Sequence, residues 1–211
     1  MLSKFIRASI VILAETHNPS ILSPDWLKRN KVITEDPNQF VLTPDFAVFD
    51  SKSFNLIVDR QRLQLSVKKV TTANQKKLVE SVIKYVELLP HIPFIRLGLN
   101  FDWLVEEDDQ GSPPEIAISM GEINDFHSIF PEHDLCFGSI IFAKKNGYRL
   151  RLVVEPRDEN ALIYRFNFEY NIKDLDSGAI KERIKTCLDL SSFASKIVKK
   201  TTKLTEGESK Q

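Results

Sequence analysis

Apolar and polar residues alternate from Ala161 to Ile172, most strictly from Tyr164 onward. Leu162, Tyr164, Phe166, Phe168, Tyr170 and Ile172 share one side, and Arg165, Asn167, Glu169 and Asn171 share the other. A period of two with aromatic enrichment predicts a strand with one buried face and one wet face. The same pattern runs from Phe94 to Val105, where Ile95, Leu97, Leu99, Phe101 and Trp103 oppose Arg96, Gly98, Asn100 and Asp102. It recurs from Arg62 to Lys68, and less regularly over Lys4 to Ala14, Gln39 to Phe49 and Phe54 to Val58. Asn146-Gly147 between Phe137 to Lys145 and Tyr148 to Glu155 predicts a hairpin, because a tight type I′ turn wants positive φ at both central positions. Pro156 to Asn160 reads as a longer turn into the last strand.

Two segments change to helical spacing. From Asn74 to Leu89, Leu78, Val82, Tyr85 and Leu89 form an apolar stripe that Pro90 stops. From Ser177 to about Lys200, Ile180, Ile184, Cys187, Leu188, Ser191, Ala194, Ile197 and Val198 do the same, with Asp176 or Ser177 as cap and lysines in the last turn. Residues 1–203 therefore read as a single α+β domain followed by a frayed polar tail, 204–211. The predicted architecture is an antiparallel sheet of about eight strands with two long helices on one face. The element order, four strands and a helix twice over, suggests a pseudo-twofold duplication of a ββββα unit with halves 1–91 and 92–203, although residue identities do not repeat.

Composition narrows the class. The chain has 211 residues, 42% of them hydrophobic, with 29 Lys plus Arg against 29 Asp plus Glu. That is enough apolar material for one substantial core and excludes a uniformly basic coat or a disordered chain. Cys136 and Cys187 lie far apart with no CxxC spacing, which fits a reducing interior. Lys4 and Arg7 precede a short apolar run, but Glu15, Thr16 and His17 stand where a cleavage site would be wanted, so the segment reads as a first strand rather than a leader. The expectation is a soluble, cytoplasmic protein with no membrane contact.

The neutral total conceals a segregated charge. From Asp102 to Asp134 there are ten acids and no Lys or Arg, whereas Lys52 to Lys84 carries eight basic and two acidic residues. Lys181 to Lys203 carries seven basic and two acidic. Three candidate sites follow. Arg62, Arg96, Arg165, Asn100, Asn167 and Glu169 are expected on the wet face of the sheet, where fixed guanidinium groups bind phosphate or carboxylate through paired hydrogen bonds. Arg149 and Arg151 are not assigned to that face. Trp26, in a short helix capped at Ser23, is a candidate interface anchor. His127, His133 and Asp134 are each competent metal ligands but match no zinc spacing. His17 and His91 read as turn residues.

Glycine-rich phosphate cradles and a serine elbow are absent from the sequence. The reading therefore leans away from an enzyme and expects no cofactor. Its first function is an interaction or assembly subunit meeting a protein partner or a second copy of itself as a homodimer. The alternative is a binding module for a small or anionic ligand, or nucleic acid, on the arginine-bearing face. The third is a metal-dependent hydrolase using the acidic loop. The aromatics Tyr164, Phe166, Phe168 and Tyr170 alternate away from the arginines, which weakens the case for nucleic acid, since single strands are held by aromatic stacking.

Overall fold

The computed structural model describes residues 2–106, 138–145, 147–158 and 161–207, with side chains described as far as Thr201. The strands are β1 (Leu2–Ala14), β2 (Pro37–Leu42), β3 (Phe46–Ser51), β4 (Phe54–Asp59), β5 (Arg62–Val67), β6 (Phe94–Glu106), β7 (Ser139–Lys145), β8 (Tyr148–Asp158) and β9 (Ala161–Asn171). The helices are α1 (Pro24–Arg29), α2 (Thr72–Leu88), α3 (Ser177–Lys185) and α4 (Cys187–Gly207). All nine strands join one antiparallel sheet in the order β2-β3-β4-β5-β1-β6-β9-β8-β7. The order from β3 to β7 reads symmetrically about the central β1–β6 pair. α2 lies over β1 and β5, α4 over β6 and β9, and α3 packs on α2.

One side of every central strand is buried under these helices. Ile10 and Ile12 of β1, Leu99 and Phe101 of β6, and Phe166 and Phe168 of β9 are all within 1% of complete burial, each contributing roughly 1.5–3 kcal/mol by leaving water. A bulge between Phe5 and Arg7 of β1 inserts Ile6 without a partner. Phe5 thereby joins the core face and stacks on Trp103, with ring centroids 4.4 Å apart and planes at 8°, while Arg7 is returned to the wet face.

Several predicted boundaries move. Gln39 to Phe49 is two strands, because Thr43 closes a turn: its Oγ1 accepts from the backbone N–H of Phe46 (3.0 Å) and Asp45 (3.3 Å). The sheet therefore has nine strands where about eight were expected. β8 continues through Pro156 to Asp158, accommodating Arg157 as an irregularity in its pairing with β9, so Pro156 to Asp158 belong to the strand and not to the turn expected there. The long C-terminal helix is broken at Thr186. Its Oγ1 donates to the Arg183 carbonyl (2.7 Å) and is tied to the Tyr170 hydroxyl (2.8 Å), a side-chain bond that competes with the helical ladder and anchors the break to β9. α3 is capped by Asp176, which accepts from the Ala179 N–H at 2.7 Å. Gly147 has φ +91°, as the β7–β8 hairpin requires.

Candidate functional site

The face of the sheet opposite the helices carries a trough of about 540 Å³ across β5, β1, β6, β9 and β8. The strand registers order its lining into rows across the sheet. Arg7, Asp102 and Arg165 form one row. Ser9, Asn100, Asn167 and Arg151 form the next, and Val11, Gly98 and Glu169 the one after, which register continues to Arg149 outside the lining. Arg62, Leu13 and Arg96 close the far end. Arg62, Arg96, Asn100, Arg165, Asn167 and Glu169, proposed from alternation alone, thus line a single cavity.

Arg149 and Arg151 belong to the same face. They are two residues apart in β8, which keeps both on one side of a pleated strand, and register pairs them with Glu169 and Asn167. The structure therefore adds both to the face that the sequence reading leaves them out of. Trp26 lies elsewhere: it is half-buried against the core and lines no part of the trough. α1 is capped as expected, with Ser23 Oγ accepting from the Trp26 N–H at 3.2 Å. His127, His133 and Asp134 lie outside the described residues, as does Cys136.

Charge on this face is unbalanced. Five arginines (Arg7, Arg62, Arg96, Arg151 and Arg165) meet three carboxylates (Asp102, Glu155 and Glu169) among the described lining residues, and Arg149 stands beside Glu169 on the same face. Glu169 is shared: Arg96 Nη1 and Arg149 Nη2 both donate to its Oε1 at 2.5 Å. Its burial opposes ionisation, but the hydrogen bonds from Arg149 and Arg96 outweigh this and hold its carboxyl below the ordinary value. Arg165 pairs with Glu155. Arg7 reaches Asp102 at 3.9 Å. Burial pushes the Asp102 carboxyl above its ordinary pKa, against Arg7 and Arg165 and with help from Glu155. Arg62 donates to the Gln64 amide oxygen. Neither the Arg62 nor the Arg151 guanidinium has a carboxylate partner among the described residues.

The floor between the arginines is small and neutral. Asn167 Nδ2 donates to Asn100 Oδ1 at 2.6 Å, and Gly98 presents no side chain. A Cβ there would come within 3.3 Å of Asn167 Nδ2 and 3.8 Å of Val11, so glycine keeps the floor low. A second cavity of about 400 Å³ adjoins the trough at Arg151, Asn167 and Glu169 and extends to Phe142 and Lys144 of β7. Guanidinium groups on rigid strands, with primary amides between them, form an anion-binding surface that also offers neutral hydrogen bonds.

His17, expected in a turn, is a buried latch beyond the end of β1. It is 3% exposed, accepts at Nδ1 from the Tyr85 hydroxyl (2.9 Å) and donates from Nε2 to the Ile12 carbonyl (3.3 Å) in the tautomer that satisfies both partners. Nothing local in the sequence marks this role, because Tyr85 lies 68 residues away and meets His17 only in the folded chain.

No family model matches the chain, and no curated protein sequence is significantly similar to it.

Proposed function

We propose that this protein is a non-catalytic binding module whose open sheet face takes a phosphate- or carboxylate-bearing ligand. The observation that carries the reading is the arginine surplus in the trough, with Arg62 and Arg151 lacking a carboxylate partner among the described residues. A volume of about 540 Å³ lies in the range of cavities that hold small ligands, roughly 300–1,000 Å³. Calorimetric titration with sodium tripolyphosphate and with citrate tests it. Binding should weaken as salt rises, and Arg62→Gln combined with Arg151→Gln should reduce affinity by about tenfold or more, the worth of roughly 1.4 kcal/mol. Equal affinity in wild type and double variant would refute the assignment.

A second reading, assembly with another copy, is favoured by the edge strand β7. Its Ile140, Ile141 and Phe142 are 56%, 49% and 75% exposed, on a strand that pairs only with β8 among the described residues. The lysines of β7 stand at its far end, which leaves Ile140 to Phe142 as a short apolar edge of the kind that invites strand addition. Ile141→Lys should abolish any concentration-dependent rise in mass seen by light scattering, and an unchanged mass profile excludes this edge.

The proposed setting is cytoplasmic. Cys187 is a buried free thiol, as a reducing compartment allows. Among the described residues no helix is long and apolar enough to cross a membrane.

A further inference from the structure

We infer that the anion held on this face is a single-stranded nucleic acid, a proposal that rests on the anion-binding reading and specifies its ligand. Three features of the same face converge. The first is an aromatic ring. Alternation places the ring-bearing residues of β9 in the core, but β7 behaves differently: Phe142 stands on the wet face, 75% exposed, directly across the β7–β8 register from Arg151. An exposed ring beside a guanidinium that has no carboxylate partner among the described residues offers one base a stacking platform and its phosphate a charge.

The second is the neutral row Ser9, Asn100 and Asn167, which register places in line with Arg151 and Phe142. Arg7 and Arg165 flank this row on one side, and Arg96 and Arg149 on the other. The bond between Asn167 Nδ2 and Asn100 Oδ1 leaves the Asn167 carbonyl and the Asn100 amino group for a ligand, and amides of this kind pair with the edges of unstacked bases. The third is Gly98, whose missing side chain lets a ligand approach the floor closely. From β1 to β7 the row crosses four strand spacings, about 19 Å at ~4.8 Å each. An acidic peptide would satisfy the arginines but leave the ring and the amide row without a role, so nucleic acid accounts for more of the face.

Fluorescence anisotropy on the full chain, with fluorescein-labelled oligothymidylate and oligouridylate of about fifteen nucleotides, tests the proposal. Wild type should bind at least one probe, with affinity falling steeply between about 50 and 200 mM salt. Phe142→Ala should weaken binding about 5- to 150-fold, the effect of losing one stacked base. Arg151→Gln should lower both the affinity and the steepness of its salt dependence. Lys76→Glu, on the exposed side of α2, should leave binding unchanged. Circular dichroism confirms that each variant is folded. The thymidylate and uridylate arms distinguish DNA from RNA. Binding that is insensitive to Phe142 and Arg151 overturns the proposal. So does groove-dependent binding of a polyglutamate peptide or of tripolyphosphate with no binding of either oligonucleotide, an outcome that leaves the anion-binding reading standing. Failure of all four probes removes both.

Discussion

Removing a carboxylate from the trough should strengthen ligand binding, the opposite of what deleting a recognition residue does. Glu169→Gln leaves a side chain of the same shape but withdraws the acceptor charge that Arg96 and Arg149 share at 2.5 Å. The side chains are 28%, 44% and 64% exposed in the order Glu169, Arg96, Arg149. Solvent therefore screens both pairs, and each is worth about 0.2–1 kcal/mol of stability. The melting temperature should fall by only about 1–8 °C, at roughly 2–4 °C per kcal/mol for a chain of this size. The effect on binding has the other sign. One negative charge removed about 6 Å from a bound phosphate relieves about 0.7 kcal/mol of repulsion at the dielectric of bulk water, and about 2.8 at an effective value near 20. Affinity for tripolyphosphate at about 50 mM salt should therefore rise roughly 3- to 100-fold, and the gain should shrink at higher salt. Calorimetric titration of wild type and variant, side by side at two salt concentrations, measures both quantities. An unchanged or reduced affinity in a folded Glu169→Gln variant would mean that the guanidinium pair does not meet the ligand, and the trough would lose its assignment.

His17→Ala should destabilise the fold by about 2–4 kcal/mol at pH 7.5, since the buried Tyr85 hydroxyl loses its partner and a void opens beside it. Burial lowers the His17 pKa below 6.5, with the Ile12 bond and Asp59 opposing, so the folded state favours the neutral ring. Its contribution is complete above about pH 6.5 and is lost as pH falls towards the depressed pKa. Urea denaturation of both proteins from pH 8 to 5 should show the difference narrowing on the acid side, and a constant difference would exclude the neutral-latch description. Cys187, whose thiol burial pushes up to about 12, should resist alkylation in the native protein and react on unfolding. Peptide mapping after iodoacetamide treatment reads this directly, and rapid native labelling of that peptide would show the helix contact around it to be open.

Much of the fold is legible along the chain because its signals are local. A period of two assigns each strand residue to a face whatever the strand pairs with, and so the aromatic face of β9 and the arginine face of β6 can be read from alternation. Pro24 after Ser23, and Asp176 before α3, mark helix starts for an equally local reason, since a cap bonds a backbone N–H only two or three residues away. Where local signals compete, the reading slips. Thr43-Pro44-Asp45 is a turn inside what alternation continues as a strand, and Thr186 breaks a helix whose apolar spacing carries straight through.

What tertiary structure alone decided is who stands beside whom. Periodicity puts Arg96 and Glu169 on the wet face but is silent on their meeting and on Arg149 joining them. That depends on β9 lying between β6 and β8 in one particular register, and a slip of one residue would turn the whole row over. Arg62 reaches the trough because β5 returns to pair with β1, a contact closed by a long loop and three further strands. Phe142 is exposed because β7 is an edge, and edge position belongs to the assembled sheet. The sequence by itself therefore determined the faces and their chemistry, since side-chain alternation is a property of each strand. The site is a property of the pairing, because only non-local hydrogen bonding sets the order and register that bring five arginines, the Asn100 and Asn167 amides and a bare glycine floor together.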